Sequence, residues 1–161
     1  MHTRAPGTRH PLRALVSALV ASVGVMVVAG CSAPAVHVPP APSATDPGCA
    51  RVLASLNGAD QVAGLQRRGV TSQSVAAWGN PPVVLRCGVN PPGPTTQACV
   101  DVDGVDWVGP PDPEKRPATY TTYGRLPAVE ITLPDTKVGM DAVLGEIAPA
   151  VAQLPQSRRC L

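Results

Sequence analysis

The sequence predicts an α+β fold: a single disulfide-stapled domain in which an antiparallel sheet of four to five strands is covered by N- and C-terminal helices. Three observations support this fold class. Both ends of the globular part carry apolar residues at helical spacing, and the middle carries short β-branched runs separated by turn residues. Four cysteines lie in the globular part, an even number that can pair completely into two disulfides. With 161 residues the chain has room for one domain, predicted over 48–161.

The first thirty residues predict a removable signal peptide. Residues 1–13 hold three arginines and no acidic residue, and the run from Ala14 to Ala29 is uncharged and rich in Ala, Val and Leu. A basic segment followed by a short apolar one is typical of export signals. The run has sixteen residues, whereas a spanning helix needs about twenty. A retained membrane anchor is therefore the less favoured alternative.

The signal ends in a sequence that resembles a bacterial lipobox, Val28–Cys31. In lipoproteins of this type the cysteine thiol receives a diacylglycerol and the chain is cut before it. The resemblance implies lipidation of Cys31 and attachment to the extracytoplasmic face of the cell membrane. Two or three acyl chains, at about 0.8 kcal/mol per buried CH₂, give durable anchoring. The alternative is an ordinary secreted protein whose Cys31 happens to follow small residues.

Residues 31–47 predict a proline-rich stalk that begins at the lipidated cysteine. Five prolines lie between Ser32 and Pro47, which excludes a helix and favours polyproline II. At about 3.1 Å per residue, such a stalk could hold the domain up to roughly 50 Å from the bilayer. His37 is the one histidine after residue 30, and we expect it to belong to this stalk without fixed neighbours. No histidine-based catalytic site is therefore predicted.

The N-terminal half of the domain begins with a helical pattern. Apolar residues predict a helix over Cys49–Arg67, broken or divided into two short helices at Asn57-Gly58. A β-branched run then predicts a buried strand over Pro82–Val89. Next, Asp103-Gly104 is the strongest hairpin signal in the chain. The two strands of that hairpin are predicted over Ala98–Val102 and Val105–Val108.

The C-terminal half continues with a second hairpin and a helix. Thr119–Tyr123 and Ala128–Leu133 alternate in polarity, which predicts a hairpin with one solvated face. From Thr136 onwards apolar residues keep to one helical face, with Pro149 expected to bend or end the helix. Two terminal helices thus enclose the predicted strands.

The cysteines of the domain, Cys49, Cys87, Cys99 and Cys160, are expected to form two disulfides in an exported chain. Three pairings are possible. The proline-rich step from Cys87 to Cys99 suits a turn, so Cys87–Cys99 is the preferred bond. Cys49–Cys160 would then clasp the two ends of the domain and contribute about 4 kcal/mol. No C-x-x-C pair is present, which argues against zinc.

Several segments in combination resemble the actinobacterial exported proteins grouped as domain of unknown function 3515. They are Trp78-Gly79, Pro82–Gly88, Val105–Trp107 and Thr122–Glu130. The resemblance covers about Asp46 to Cys160. It implies an exported or membrane-associated location and a single α+β domain, and it transfers no activity and no catalytic residue.

A possible binding face is predicted from charged residues that interrupt strand-like segments and from nearby aromatic residues. These are Arg86, Arg125, Glu130, Trp78, Trp107 and Tyr123. The alternative makes Arg86 and Glu130 a cross-strand pair on the open face of the sheet and places the aromatic residues in the core. The aspartates at 101, 103, 106 and 112 lack the spacing of a calcium loop, so turn roles are favoured and no metal site is predicted.

The predicted function is that of a lipid-anchored envelope protein that binds a partner protein or a wall or lipid component without catalysis. A small envelope hydrolase with paired carboxylates is the alternative, and a structural spacer is a third possibility. After removal of the signal, ten basic residues balance eleven acidic ones, and they are scattered. Such a surface does not favour nucleic acid. No cofactor motif is present in the sequence.

Overall fold

Short strands account for most of the regular structure in a computed structural model that describes residues 1–3, 33–134 and 137–161. The chain divides into two compact units, Met1–Cys31 and Ser32–Leu161. The predicted signal peptide and the lipidation site Cys31 lie outside the described residues, apart from residues 1–3. No helix within the described ranges is long and apolar enough to cross a membrane.

Ten elements follow one another in the second unit. In chain order they are α1 (Pro47–Leu56), β1 (Gln61–Val62), β2 (Leu65–Arg68), β3 (Val75–Trp78), β4 (Val83–Val89), β5 (Cys99–Val102), β6 (Val105–Val108), β7 (Ala118–Thr122), β8 (Ala128–Leu133) and α2 (Met140–Val151).

The eight strands form one antiparallel sheet in the order β1-β2-β3-β4-β8-β7-β6-β5. Each half of the chain supplies a meander of four strands. The meanders join where their last strands, β4 and β8, pair with each other. The connection over residues 90–98 therefore crosses from the middle of the sheet to its far edge, whereas the sequence predicted a turn back at this point.

The predicted α+β fold with four to five strands is wrong, because the domain is mostly sheet and has eight strands. The predicted helix over Cys49–Arg67 ends at Leu56, and the rest of that segment forms the β1–β2 hairpin. Ala63 (φ 50°) and Gly64 (φ 74°) make its two-residue turn. Strand β3 was not predicted at all.

The remaining elements follow the sequence pattern. Strand β4 and the two later hairpins lie where they were predicted, and Asp103 (φ 50°) and Gly104 (φ 78°) form the expected turn. In β8 the apolar residues are fully buried, whereas Glu130 and Thr132 are half-buried. Helix α2 is also present, with Pro149 inside its last turn.

The core lies on one face of the sheet, under both helices. Helix α2 contacts α1 and also both edge strands, β1 and β5. One helix can reach both edges only if the sheet curls around it, so α2 fills the inside of a curved sheet. The largest side chains of this core are fully buried: Trp78, Trp107, Leu85, Ile131, Leu133, Leu144 and Ile147.

All four cysteines of the domain form disulfides, but the predicted pairing is wrong. Cys49 is bonded to Cys87, with 5.5 Å between their Cα atoms, and Cys99 to Cys160, with 5.8 Å. The first bond joins α1 to β4, and the second joins the edge strand β5 to the C-terminal segment. Since residues 90–98 cross the sheet, Cys87 and Cys99 lie on strands that are not neighbours.

The described part of the predicted stalk lies along the domain. We call residues 34–46 the N-terminal strap. Val36 pairs with Val70 in a parallel bridge, with its N–H donating to the Gly69 carbonyl at 2.8 Å. Further on, the Ser43 N–H donates to the Gly88 carbonyl at 2.9 Å. The strap thus belongs to the folded domain and does not extend away from it.

Candidate functional site

Arg86 and Glu130 form the cross-strand pair that the alternative interpretation predicted. They are register partners on β4 and β8, and Arg86 Nη2 lies 3.0 Å from Glu130 Oε1. Their side chains are 29% and 25% exposed and alternate with core residues of β4 and β8, so they lie on the sheet face opposite the core. The two charges neutralise each other there.

The tryptophans of the predicted binding face lie in the core. Trp78 and Trp107 are fully buried. Trp78 Nε1 donates to the Ala59 carbonyl at 3.4 Å, and Trp107 Nε1 has no hydrogen-bond partner. Tyr123 is half-buried, and the Arg158 guanidinium lies 5.9 Å from its ring centroid. The tryptophans therefore present no stacking surface to a ligand.

Arg125 is a structural residue, only 4% exposed, beneath the C-terminal segment. Its Nη1 donates to the carbonyls of Ala152 (3.3 Å) and Leu154, and its Nη2 donates to Gly104 O at 3.0 Å. Burial lowers the pKa of Arg125, and the negative charge of Asp106 opposes that shift. The side chain thus holds the β5–β6 turn against the segment that follows α2.

The six residues of the predicted binding face consequently do not meet on one surface. Two lie on the outer face of the sheet, two lie in the core, Arg125 lies under the C-terminal segment, and Tyr123 is half-buried beside Arg158. The structure instead shows a groove that the sequence analysis did not predict.

This groove, which we call the α1 groove, lies between the N-terminal strap, helix α1 and the loop from β2 to β3. Its volume is about 900 Å³. Hydroxyl and amide side chains line much of it, together with one guanidinium and one carboxylate. The polar lining residues are Thr45, Asp46, Asn57, Arg67, Thr71, Ser72, Gln73 and Ser74, and the apolar ones include Pro40, Ala50, Leu53, Ala54 and Val75.

Helix α1 forms a fixed wall of the groove. Asp46 is its N-cap, with Oδ1 accepting from the Gly48 N–H at 2.6 Å, and Pro47 occupies the first helical position. The disulfide from Cys49 ties the first turn of the helix to the centre of the sheet. The wall is therefore held by a cap at one point and by a covalent bond at another.

Arg67 supplies the positive charge of the groove. Its Nη1 donates to the Leu56 carbonyl at 2.7 Å, and its guanidinium lies 5.0 Å from the ring centroid of the buried Trp78. Burial lowers the pKa of Arg67, and the charge of Asp60 opposes this shift. These contacts fix the end of the side chain, so its charge is preorganised.

The loop from β2 to β3 supplies the hydroxyl groups. Ser72 Oγ and Ser74 Oγ lie 3.1 Å apart, and the Ser74 N–H donates to Ser72 Oγ at 3.4 Å. Ser74 is 4% exposed. A hydroxyl both donates and accepts, so this cluster can bind hydroxyl or amide groups of a ligand.

The groove lacks the arrangement that hydrolysis by carboxylates requires. Asp46 is the one carboxylate among its lining residues, and it is used to cap α1. Glycoside hydrolysis needs two such groups facing each other across the cleft. The geometry of the groove therefore suits binding better than this reaction.

His37 has a fixed neighbour, contrary to the sequence expectation. Its Nδ1 lies 3.2 Å from Thr71 Oγ1, and both side chains are exposed. A catalytic base of this kind is usually oriented by a third group. Thr71 is the one side chain with which His37 forms a hydrogen bond in the described structure, so we assign the pair to docking of the strap.

The aspartates considered for calcium have local structural roles. Asp101 Oδ1 accepts from the Gly104 N–H at 3.3 Å, and Asp112 Oδ1 accepts from the Glu114 N–H at 3.0 Å. Asp106 Oδ2 accepts from Gln156 Nε2 at 2.8 Å. Over the described ranges, no group of three or more His, Cys, Asp or Glu residues could hold a metal ion.

No local pattern in the sequence predicts the α1 groove, because its lining comes from separate segments of the chain. One sequence signal was available: the polar run Thr71–Ser74 directly before the apolar segment Val75–Trp78, which is longer than a tight turn requires. That run shows a loop, but only the folded structure places it opposite α1.

The family model described as protein of unknown function DUF3515 matches residues 14–159. No curated protein and no solved structure matches the chain. The match covers nearly the whole sequence, and it confirms the resemblance seen in the segments around Trp78, Trp107 and Tyr123. The chain belongs to the DUF3515 family.

Proposed function

We propose that the protein is a lipid-anchored cell-envelope protein that acts as a non-catalytic binding module, with the α1 groove as its binding site. The groove is the observation that carries the proposal. At about 900 Å³ it falls within the range of small-molecule pockets, roughly 300–1,000 Å³. Because its walls are fixed and Arg67 is preorganised, the groove loses little conformational entropy when a ligand binds, which lowers the free-energy cost of binding.

The lining indicates the kind of ligand. Hydroxyl and amide groups, with a single cation, suit a polar molecule that offers several donors and acceptors and little net charge. Of the partners considered from the sequence, a cell-wall component such as a glycan with a peptide stem fits this description. A purely apolar lipid tail would leave the groove hydroxyls without partners.

Attachment to the outer face of the membrane rests on the sequence of residues 1–31. A basic start, a short apolar run and small residues before Cys31 together support export and acylation. Intact-mass measurement of the protein from the membrane fraction should give a chain that begins at Cys31 and carries acyl groups. A chain that starts upstream, or an unmodified Cys31 in the culture medium, would contradict the anchoring.

Binding can be tested by filling the groove. Ala54 is exposed on α1 and lines the groove, so Ala54→Trp should block it without entering the core. We expect the acylated protein in detergent to bind soluble wall fragments, and Ala54→Trp to weaken that binding by at least about tenfold, or about 1.4 kcal/mol.

The matched control is Ala142→Trp, at an exposed alanine of α2 that does not line the groove. Titration calorimetry with the same fragments should give the wild-type affinity for this variant. Equal affinities for all three proteins would refute the groove as the site, and absence of binding by the wild type would refute the proposed ligand class.

A further inference from the structure

We infer that the N-terminal strap lays the domain directly against the bilayer, with the surface around Gly69 facing the lipid headgroups. This inference rests on the proposed acylation of Cys31. It replaces a domain raised on a long stalk with one that lies on the membrane.

The start of the strap is clamped by Arg68. The Arg68 Nη2 donates to the Pro34 carbonyl at 2.9 Å, and its Nη1 donates to the Gly79 carbonyl at 2.8 Å. One guanidinium thus joins the strap to the connection that follows β3. The parallel bridge of Val36 with Val70 adds two backbone hydrogen bonds, at 2.8 and 3.2 Å, directly after this clamp.

The end of the strap is held by close backbone contact. Gly88 has a φ of 91°, and a Cβ at this position would overlap the backbone of Ser43. Ala41 is 6% exposed and packs with Val89 and Ala128 in a small cluster of its own. A segment fixed at both ends cannot act as a spacer.

Chain length then sets the distance to the membrane. Only Ser32 and Ala33 separate Cys31 from the clamped Pro34. Three residue steps span at most about 10 Å. Ala35 and Gly69 are both exposed and lie side by side at this point. An acyl group on Cys31 therefore brings this surface to within about 10 Å of the bilayer, against roughly 50 Å for an extended stalk.

The test measures the proximity of the domain surface to lipid. A fluorescent side chain is introduced at Gly69, where a Cβ meets only ordinary contacts and the carbonyl that accepts from Val36 is kept. The acylated protein is reconstituted in phospholipid vesicles that contain lipids with a spin label on the headgroup. We expect strong quenching, because a spin label quenches only at short range.

The matched control carries the same fluorophore and a flexible Gly-Ser insertion between Ser32 and Ala33. With roughly twenty inserted residues, the tether gains a mean reach of about 25 Å while the strap stays docked. Quenching should fall severalfold in this variant. Hydrogen exchange at the Val36 and Ser43 amides should show protection in both proteins.

Each other outcome has a distinct meaning. Acylated protein that floats with the vesicles but is unquenched overturns the inference and leaves the proposed anchoring intact. Quenching that the insertion does not change overturns it as well, because the strap would not set the distance. Protein that lacks acyl mass and does not float with vesicles refutes the anchoring itself.

Discussion

At the scale of single residues, two arginines that look alike in the sequence have different roles. Arg86 lies half-buried on the outer face of the sheet and pairs with Glu130, whereas Arg125 is buried among backbone carbonyls. An ion pair at the surface that keeps about a quarter of each side chain in contact with water contributes about 0–1 kcal/mol. A buried guanidinium that satisfies several carbonyls contributes more, because its loss leaves those groups without partners.

We therefore predict that Arg125→Ala lowers the free energy of unfolding by about 3 kcal/mol. The substitution removes the donors that reach Gly104, Ala152 and Leu154. Urea denaturation at neutral pH measures the change. Arg51→Ala, at an exposed position of α1, is the matched control and should stay within about 0.5 kcal/mol of the wild type.

Arg125→Lys separates charge from hydrogen bonding. A lysine keeps the positive charge, but its compact ammonium group lacks the planar, forked donors with which the guanidinium reaches several carbonyls at once. We expect it to recover less than half of the lost stability. Full recovery would mean that the attraction of Asp106, and not the carbonyl contacts, holds this side chain in place.

The sequence could predict the first of these roles but not the second. Arg86 and Glu130 alternate with apolar residues in two clear strands, so a cross-strand pair was foreseeable. Arg125 follows a turn glycine, which predicts an exposed position. It is buried because residues 152–156 fold back over it, and no local pattern in the sequence shows that return.

At the scale of elements, each of the strands that were missed lacks the usual sequence signal, for a different physical reason. The β1–β2 hairpin turns at Ala63-Gly64, and alanine rarely adopts a positive φ. Here the Ala63 N–H donates to Glu146 on α2 at 2.8 Å, so tertiary contact supports the turn. Strand β3 has four consecutive buried residues, and such a run shows no alternation.

Strap docking gives a prediction at the same scale. Gly88→Ala adds a Cβ where Ser43 approaches and where φ is positive, so we expect a loss of about 2 kcal/mol in stability. The Ser43 amide should also lose protection from hydrogen exchange. Gly93→Ala is the control, since a Cβ there meets nothing within 4 Å. Unchanged protection in Gly88→Ala would show that the strap does not depend on this contact.

At the scale of the whole molecule, strand order decides which cysteines meet. The sequence shows that residues 90–98 are rich in proline, but it does not show whether they turn back or cross the sheet. That choice depends on β8 pairing with β4, a contact between segments about 40 residues apart. Helical and hairpin patterns involve residues close together in the sequence. They therefore predict individual helices and strands much better than the order of the strands in the sheet.

The disulfide pairing is directly testable. No Lys, Arg, Asp or Glu lies between Cys87 and Cys99, so trypsin leaves these two cysteines on one peptide. Thermolysin, which cuts before Val89 and Ala98, should separate them. Non-reducing mass spectrometry should then find Cys49 linked to Cys87 and Cys99 linked to Cys160. A peptide that links Cys87 to Cys99 would contradict the strand order.

The joining of the two meanders at β4 and β8 also orders the assembly of the chain as it is synthesised. The bond from Cys49 to Cys87 lies within the first meander and can close once that half has emerged. Strand β4, however, has an unpaired edge until β8 is present, and Cys99 has no partner until Cys160, 61 residues further along the chain, is present. A nascent chain therefore passes through an intermediate that contains only the first four-stranded meander. In this intermediate the Cys49–Cys87 disulfide is formed, the Cys99 thiol is free, and the unpaired edge of β4 could pair with a strand of a neighbouring chain.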